Sequence, residues 1–328
     1  MYFKIRLSVL LFYIFLPVHS QSGIPIYADY LSDNYYLIHP SMAGAANCTK
    51  LRITSRKQWL GQDDSPSLET LSLNGKISEK SAAGIILFND KNGYHSQKGI
   101  KLTFAHHILF SRDQIDLNQL SFGLNAGLIQ NQEDQTSFYK FDPVVNGKIQ
   151  KQSSFNIDFG TSYHYLNFYA HATIQSAVRT TNKTNSEFDN GNPGRYLLSA
   201  GYVFGNKKKI LWEPSVLFQW VEKTQEKLID LNLKTYKNMD FGSLWLTISY
   251  RRSFDQTLYN KNSGTAAQKL QYITPLLGIN YKNFIFAYTY SQVIGTIKFD
   301  NPGYHQITAG INLFCKKEKY DCYCPAIN

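Results

Sequence analysis

The sequence has little of several features, and each shortage excludes a class of protein. Past the N-terminus it has no apolar run of about 20 residues, and its mean hydropathy is −0.32, which excludes a polytopic helical membrane protein. Charged residues are only 18% of the chain whereas aromatic residues are 15%, the opposite of a disordered chain. Ala, Glu, Lys and Leu are too few for a long coiled coil. The length of 328 residues is compatible with two ordinary domains or with one large all-β domain.

The first twenty residues have the pattern of a secretory signal peptide. Lys4 and Arg6 precede an apolar run, Leu7 to Val18, that is too short for a membrane anchor. Ser20 then offers a small side chain for cleavage before Gln21. The pattern predicts export of residues 21–328, and a buried N-terminal helix is the alternative.

Strict alternation of apolar and polar residues is the strongest signal in the mature chain. Phe155, Ile157 and Phe159 alternate with polar or small residues, and the same pattern recurs at Leu244, Leu246 and Ile248. Such alternation predicts strands with one apolar and one polar face, so we expect Ile248 to face lipid and Ser249 to face a lumen. Counting these runs predicts about fourteen strands, near 50–59, 67–78, 82–90, 99–110, 118–132, 153–163, 165–177, 194–204, 210–221, 226–237, 240–252, 270–281, 283–294 and 303–315.

The predicted strands and their connections together indicate an outer-membrane antiparallel β-barrel. Many strands are about ten residues long, the length that a tilted strand needs to cross a bilayer. Short connections alternate with long polar ones, as in barrels with short periplasmic turns and long external loops. The long connections are expected at Asn89–Gly99, Glu133–Ser153, Arg179–Gly194 and Ser253–Gln268. A soluble β-sandwich or a propeller is the alternative, although no repeat of propeller length appears.

The aromatic residues and the prolines refine the barrel prediction. Seven aromatic residues near strand ends are expected to form a girdle at the membrane interfaces: Trp59, Trp212, Trp220, Tyr163, Tyr202, Tyr250 and Tyr281. Pro214 and Pro275 fall inside predicted strands, which indicates a bulge or a misplaced boundary at each.

The domain organisation follows from the strand positions. Residues 1–20 are the predicted signal peptide, and residues 21–49 are interpreted as a periplasmic segment or one that plugs the barrel. The barrel is expected at 50–315, and residues 316–328 are expected to form a cysteine-containing periplasmic tail.

Four cysteines permit disulfides in an oxidising compartment. Closure of an even-stranded barrel makes the first and last strands neighbours, so Cys48, just before the first, could pair with Cys315, at the end of the last. Pairing of Cys48 with Cys322 or Cys324, or free thiols, stays open. A zinc site is not expected, because Cys322 and Cys324 are too close together and no histidine is near.

No motif for catalysis or for a cofactor occurs in the chain, so we predict neither an enzyme nor a bound cofactor. His106 and His107 are strand neighbours and should face opposite ways. Asp158 and His171 could meet across a hairpin, and a rim-type barrel hydrolase is kept as a remote alternative on that basis. The formal net charge of +10 is scattered, apart from Lys207–Lys209. An exported chain meets little nucleic acid, so the charge is taken as weak evidence for a membrane surface.

Three elements near the start of the mature chain resemble those of the PorP/SprF family. They are His39-Pro40-Ser41-Met42-Ala43-Gly44, then Ser55-Arg56-Lys57-Gln58-Trp59-Leu60-Gly61, then Ser65-Pro66-Ser67. The family has N-P-A-x-x-G, R-x-Q-W-x-G and a small-Pro-small element in this order, so His39 and Ser41 are departures. Gly303-Tyr304-His305-Gln306 resembles the family's final G-x-H-E element, with Gln306 in place of Glu, and Cys324-Pro325 resembles its tail.

The resemblance implies an outer-membrane barrel that belongs to, or assists, the type IX secretion system of gliding bacteria. Its partners would be components of that system, a secreted adhesin-like surface protein and outer-membrane lipid, with no nucleic acid and no cofactor. The matched positions are candidate partner contacts: Pro40, Ala43, Gly44, Arg56, Gln58, Trp59, Gly61, Pro66, Gly303 and His305. A passive porin or hydrophobic-solute channel is the main alternative function.

Overall fold

The computed structural model describes residues 28–62, 64–111, 116–136, 148–181, 194–261, 264–294 and 303–316. The predicted signal peptide, and the predicted tail from residue 317 onward, lie outside these ranges. Three short 3-10 helices come first, at Ala28–Leu31, Tyr35–Leu37 and Pro40–Met42. Among the described residues, no helix is long and apolar enough to cross a membrane.

The rest of the described chain is almost entirely β-strand. The strands are β1 Thr49–Gln58, β2 Ser67–Lys76, β3 Ser81–Asn92, β4 His95–Leu109, β5 Asn118–Asp134, β6 Ile149–Tyr165, β7 Phe168–Thr181, β8 Arg195–Tyr202, β9 Phe204–Gly205, β10 Leu211–Val221, β11 Lys227–Met239, β12 Gly242–Lys261, β13 Gly264–Tyr281, β14 Phe284–Ile294 and β15 Tyr304–Leu313.

The sheet closes on itself. Each strand pairs antiparallel with its neighbour along the chain, and β1 pairs with β15 from Thr49 opposite Leu313 to Gln58 opposite Tyr304. The two-residue β9 continues β8 along β10, so the wall is fourteen strands across. The predicted fourteen-stranded antiparallel barrel is therefore confirmed.

The two faces of the wall differ as the alternation predicts. Ile248 is 54% exposed on the outer face, whereas the next residue, Ser249, is 3% exposed on the inner face. Across the described strands the outer face carries large apolar side chains such as Leu102, Phe159 and Ile307. The inner face is mostly polar. Its side chains satisfy one another by hydrogen bonds within the barrel wall.

Several predicted connections prove to be strand. Asn89–Gly99 is a hairpin whose turn is only Gly93 and Tyr94. Gly93 has φ +58° at the first position of this two-residue loop, where hairpin turns favour glycine. Ser253–Gln268 continues β12 and β13 as far as Lys261 opposite Gly264. These strands continue through polar residues because strand pairing uses backbone hydrogen bonds. An apolar face is needed only where a strand meets lipid. The turn between the predicted strands 153–163 and 165–177 lies at Leu166 and Asn167.

Both prolines inside strands lie where the ladder is interrupted. Pro275 interrupts the pairing of β13 with β14, which stops at Ile273 opposite Gln292 and resumes at Leu276 opposite Thr289. Pro214 lies opposite the break between β8 and β9. A proline cannot donate a ladder hydrogen bond, so these interruptions accommodate it.

Candidate functional site: the occupied lumen and the loop end of the barrel

Residues 30–46 lie inside the barrel and are almost completely buried. We call them the lumen segment. They contact strands on many sides of the wall, and the segment leaves the barrel where β1 begins. We call that end the termini end, and the opposite end, where β1 passes into β2, the loop end.

Pro40 fits against two glycines of the wall. Gly123 on β5 lies so close that an added Cβ would come within 3.0 Å of backbone atoms of Pro40 and Ser41. At Gly160 on β6 an added Cβ would lie 2.9 Å from Pro40 Cδ. A larger residue at either glycine would push the segment away, so this part of the family motif packs against the wall.

Ala43 and Gly44 complete that packing. Ala43 is fully buried, and its carbonyl oxygen lies 3.1 Å from His107 Nε2 on β4. Gly44 adopts φ +59°, and its N–H donates to Asn74 Oδ1 at 3.0 Å. An added Cβ there would also collide with Ala82, so Gly44 is required both for its conformation and for space.

Side-chain hydrogen bonds join the lumen segment to the wall along its whole length. The shortest bond is the one between Tyr36 Oη and Thr103 Oγ1, at 2.5 Å. The others join Tyr30 to Asp230, Asn34 to Ser72, Tyr35 to Tyr169, His39 to Thr173 and Ser199, and Ser41 to Ser162. These partners belong to β2, β4, β6, β7, β8 and β11, so the segment is bonded to opposite sides of the barrel.

Two ion pairs reinforce this contact. Lys234 Nζ lies 2.6 Å from Asp33 Oδ1 and donates to the carbonyl oxygen of Leu31 at 3.0 Å. Arg251 makes two bonds of 2.6 Å to Asp230, which also accepts from Tyr30. Buried charges are stable only when they are paired and hydrogen-bonded, so the pair of Lys234 with Asp33 depends on the segment staying in place. The pair of Arg251 with Asp230 lies within the wall, and the segment adds to it only the bond from Tyr30.

Histidine rings line the middle of the lumen. His171 lies 4.9 Å from His39 and 5.2 Å from His164, measured between ring centroids. Burial lowers the pKa of His39 to about 3, so its ring is neutral near pH 7. In the part of the chain that the structure describes, no three His, Cys, Asp or Glu residues are placed to hold a metal ion.

The remaining matched positions gather at the loop end. Gln58 N–H donates to the carbonyl oxygen of Pro66 at 2.9 Å, which closes the connection between β1 and β2. Within that connection Gln62 N–H donates to the carbonyl oxygen of Trp59 at 3.2 Å, which forms a turn over 59–62. Trp59 has φ +52° and Gly61 has φ +94°, a conformation that favours glycine at the third position of the turn. Leu60 between them is 48% exposed.

β15 begins beside this turn. Arg56 is buried in the lumen wall, and its guanidinium carbon lies 5.4 Å from the ring centroid of Tyr304. Gly303 allows close approach, because an added Cβ would lie 2.6 Å from the carbonyl oxygen of Ser291. His305 faces outward, with Nδ1 2.6 Å from Tyr288 Oη. The structure therefore divides the matched residues into two groups, Pro40 to Gly44 in the lumen and Arg56 to His305 at the loop end.

The candidate catalytic residues do not meet. Asp158 bonds to Lys101 at 2.7 Å and to the N–H of Ser176, whereas His171 bonds to Ser162 at 2.8 Å. His106 and His107 face opposite sides of the wall, as predicted: His107 bonds to Ser121 in the lumen, and His106 bonds to Ser81 on the outside.

The arginines of β1 and β12 lie on different faces of the wall. Arg56 and Arg251 lie in the lumen, as described above. Arg52 is buried, and its guanidinium donates to Asn312 Oδ1 at 2.7 Å near the termini end. Arg252 faces outward.

The first and last strands are joined covalently. Cys48 and Cys315 form a disulfide with a Cα–Cα distance of 4.1 Å, beside the pairing of Thr49 with Leu313. Cys322 and Cys324 lie outside the described residues.

Sequence reasoning missed the wall residues that hold the lumen segment. Glu213 accepts hydrogen bonds from Tyr169 and Tyr236, both at 2.5 Å, and Tyr169 in turn contacts Tyr35. Nothing in the sequence links residues that are this far apart. Glycines at inward positions, such as Gly123 and Gly160, were a usable signal, since glycine inside a strand often marks close approach of another backbone.

Comparison with known proteins identifies the family. The family model described as "Type IX secretion system membrane protein PorP/SprF" matches residues 19–311. No curated protein matches the chain.

Solved structures of similar fold share little sequence with this chain. CdiB from Acinetobacter baumannii is 8% identical with a TM-score of 0.41, covering 80% of this chain and 59% of its own. The CymD monoaromatic hydrocarbon channel is 9% identical with a TM-score of 0.49, covering 89% and 94%. BamA from Haemophilus ducreyi, lacking POTRA domains 1–3, is 10% identical with a TM-score of 0.40, covering 81% and 70%. The chain thus spans less than two thirds of the length of CdiB. Because the family model matches nearly all of the barrel, the chain belongs to the PorP/SprF family of type IX secretion system membrane proteins and is an outer-membrane barrel.

Proposed function

We propose that this barrel binds protein partners of the type IX secretion system and supports export or surface attachment of a secreted, adhesin-like protein. The observation that carries the proposal is the lumen segment, which fills the barrel with the chain's own residues. A barrel whose interior is occupied in this way works through its surfaces and not through a pore.

A passive channel is the main competing function, and the lumen contacts argue against it. A solute channel needs an unobstructed path along the barrel. Here Tyr30 is bonded to Asp230 on β11 and Tyr36 to Thr103 on β4, across the barrel, and the ion pair of Lys234 with Asp33 lies on the same path. A solute could pass only after these buried bonds break.

A rim-type hydrolase is the more distant alternative. Such an enzyme needs a base and a nucleophile within hydrogen-bond reach of each other. Asp158 is engaged by Lys101 and His171 by Ser162, and both side chains are buried in the wall. The geometry favours a structural role for each.

The loop end is the proposed contact for a partner. Trp59 and the exposed Leu60 stand in a turn whose backbone is fixed by Gln58 and Pro66. Aromatic side chains on a rigid support are the usual centres of protein interfaces. If the loop end faces the cell exterior, these residues are placed to meet an exported protein.

Trp59→Ala tests this contact, with Trp212→Ala as a matched control. Trp212 is 38% exposed on the outer face near the termini end, far from the turn. We expect Trp59→Ala to leave the amount of folded barrel unchanged but to reduce co-purification of partners from outer membranes and export of the surface protein. Trp212→Ala should leave all three unchanged.

The same experiment separates a partner contact from a packing role. If Trp59→Ala lowers the amount of folded barrel in proportion to export, Trp59 serves only the fold. If barrel, partners and export are all unchanged, the loop-end contact is wrong.

A further inference from the structure

The outer face of the barrel has a depression on one side, across β6, β7, β8 and β10. Its volume is about 440 Å³. Small and large outward side chains line it together with the inward-facing His171 and Ser199. The small ones are Thr161, Ala170, Ala172 and Ala200, and the large ones are Tyr163, Leu198, Val216 and Phe218.

The strand register explains why the wall is hollow here. Ala170 and Ala200 are direct neighbours, and Ala172 lies opposite Thr161 on one side and Leu198 on the other. Four small side chains are therefore adjacent on a face that elsewhere carries Leu, Ile and Phe. The rows above and below contain large residues again, with Trp220 stacked on Tyr196 at 4.9 Å and Phe168 opposite Tyr202. The result is a closed-ended hollow and not a continuous stripe of small residues.

The depression lies within the hydrocarbon layer near the termini end. Tyr202 ends β8 at that end, and Leu198 is four residues further into the wall, or about 13 Å along the strand. The hydrocarbon core of a bilayer is roughly 30 Å thick, so the depression belongs to the leaflet on the termini side. In an outer-membrane barrel this surface meets acyl chains.

A basic turn lies at the headgroup end of the same strands. Lys207, Lys208 and Lys209 follow the short β9, which continues β8 beyond the depression. Asn206 folds the turn, because its side chain accepts the N–H of Lys208 at 2.9 Å, and the Lys208 and Lys209 side chains are exposed. Lysines at the membrane surface attract anionic headgroups, each contributing about 1 kcal/mol.

From the depression and the basic turn together, we infer a binding site for one anionic phospholipid, with an acyl chain in the depression and its phosphate at Lys208 and Lys209. The apolar part of the site selects a chain, and the charged part selects the headgroup. The site does not depend on the proposed secretion role, since it requires only a barrel in a membrane.

Native mass spectrometry of the detergent-purified protein with added phosphatidylglycerol or phosphatidylcholine tests the site. We expect one phosphatidylglycerol to be retained in preference to phosphatidylcholine. Ala200→Leu fills the depression and should abolish retention of that lipid. Ala83→Leu, on the outer face of β3 away from the depression, is the matched control and should retain it.

A second variant separates the headgroup from the chain. Lys208→Gln with Lys209→Gln should lower the preference for phosphatidylglycerol by about tenfold or more, while weak retention of either lipid persists. Heat-dependent gel mobility confirms that each variant is folded.

Two results would overturn the inference. The first is equal retention by the wild type, Ala200→Leu and Ala83→Leu, which would mean unspecific lipid only. The second is a photo-cross-linking residue at position 200 that captures a protein in outer membranes, which would mean that a partner covers the depression.

Discussion

Gly123→Ala is the sharpest perturbation of the contact between the lumen segment and the wall. The added methyl group would come within 3.0 Å of backbone atoms of Pro40 and Ser41, and backbone cannot rotate away as a side chain can. We expect the segment to move or detach. Gly127→Ala is the control, because Gly127 lies on the same strand and faces the same lumen. Its added Cβ would come closest to Lys101 Cγ, at 3.2 Å, and would approach no backbone atom closer than 3.5 Å.

The size of the effect follows from two opposing terms. Overpacking of this kind costs about 1–3 kcal/mol, while replacing a strand glycine by alanine otherwise gains roughly 0.5–1 kcal/mol. Gly127→Ala should therefore be neutral or slightly stabilising. Because the gain is common to both variants, Gly123→Ala should have a free energy of unfolding lower than that of Gly127→Ala by about 1–3 kcal/mol, the overpacking cost alone.

Two measurements check this prediction. Guanidinium unfolding of the purified barrels gives the free energies, and hydrogen exchange gives the protection of backbone amides in residues 36–46. If the segment detaches, protection falls in Gly123→Ala even where the barrel itself stays folded. Equal stability and equal protection in the two variants would refute the packing of Pro40 against β5.

Three further predictions concern the membrane face, the covalent closure and the lumen. Ile248→Lys should destabilise the barrel by about 2–4 kcal/mol if Ile248 lies near the bilayer midplane, and Ser249→Lys should cost much less; equal losses in a refolding titration would reverse the assigned faces. Non-reducing peptide mapping should recover Cys48 linked to Cys315, and the chain-entropy model gives this long loop roughly 5–6 kcal/mol of stabilisation, whereas recovery of another pairing would contradict the closure. Burial lowers the pKa of His39 from 6.5 to about 3, so between these pH values the unfolded chain protonates the His39 ring and the folded protein does not. The free energy of unfolding should therefore fall as pH drops from about 6.5 towards 3, and less steeply in His39→Gln. An identical pH dependence of the guanidinium midpoint in both proteins would show that His39 is not buried.

The barrel itself could be predicted because alternation is a local property. The alternation within each run, such as Leu244 to Ile248, predicts which side chains face lipid. The number of such runs predicts the number of strands. The ends of the strands were harder, since the sequences of Asn89–Gly99 and Ser253–Gln268 are rich in polar residues yet still pair.

The contacts inside the barrel could not be predicted from alternation. The bond of Tyr30 to Asp230 joins residues 200 positions apart, and that of His39 to Ser199 spans 160. No periodicity records these contacts, because each depends on how the whole wall closes. The family motif marked Pro40 and Gly44, but not that these residues fit against Gly123 and Asn74.

Conductance in a planar lipid bilayer tests the central claim most directly, namely that the chain's own lumen segment occupies the barrel. The purified protein, with the Cys48–Cys315 disulfide intact, is inserted into the bilayer and the current is recorded across a range of voltages. The account predicts insertion, verified by gel mobility of the recovered protein, without a steady open-channel current. A stable, ohmic conductance in the wild-type protein would contradict it and would favour the passive channel.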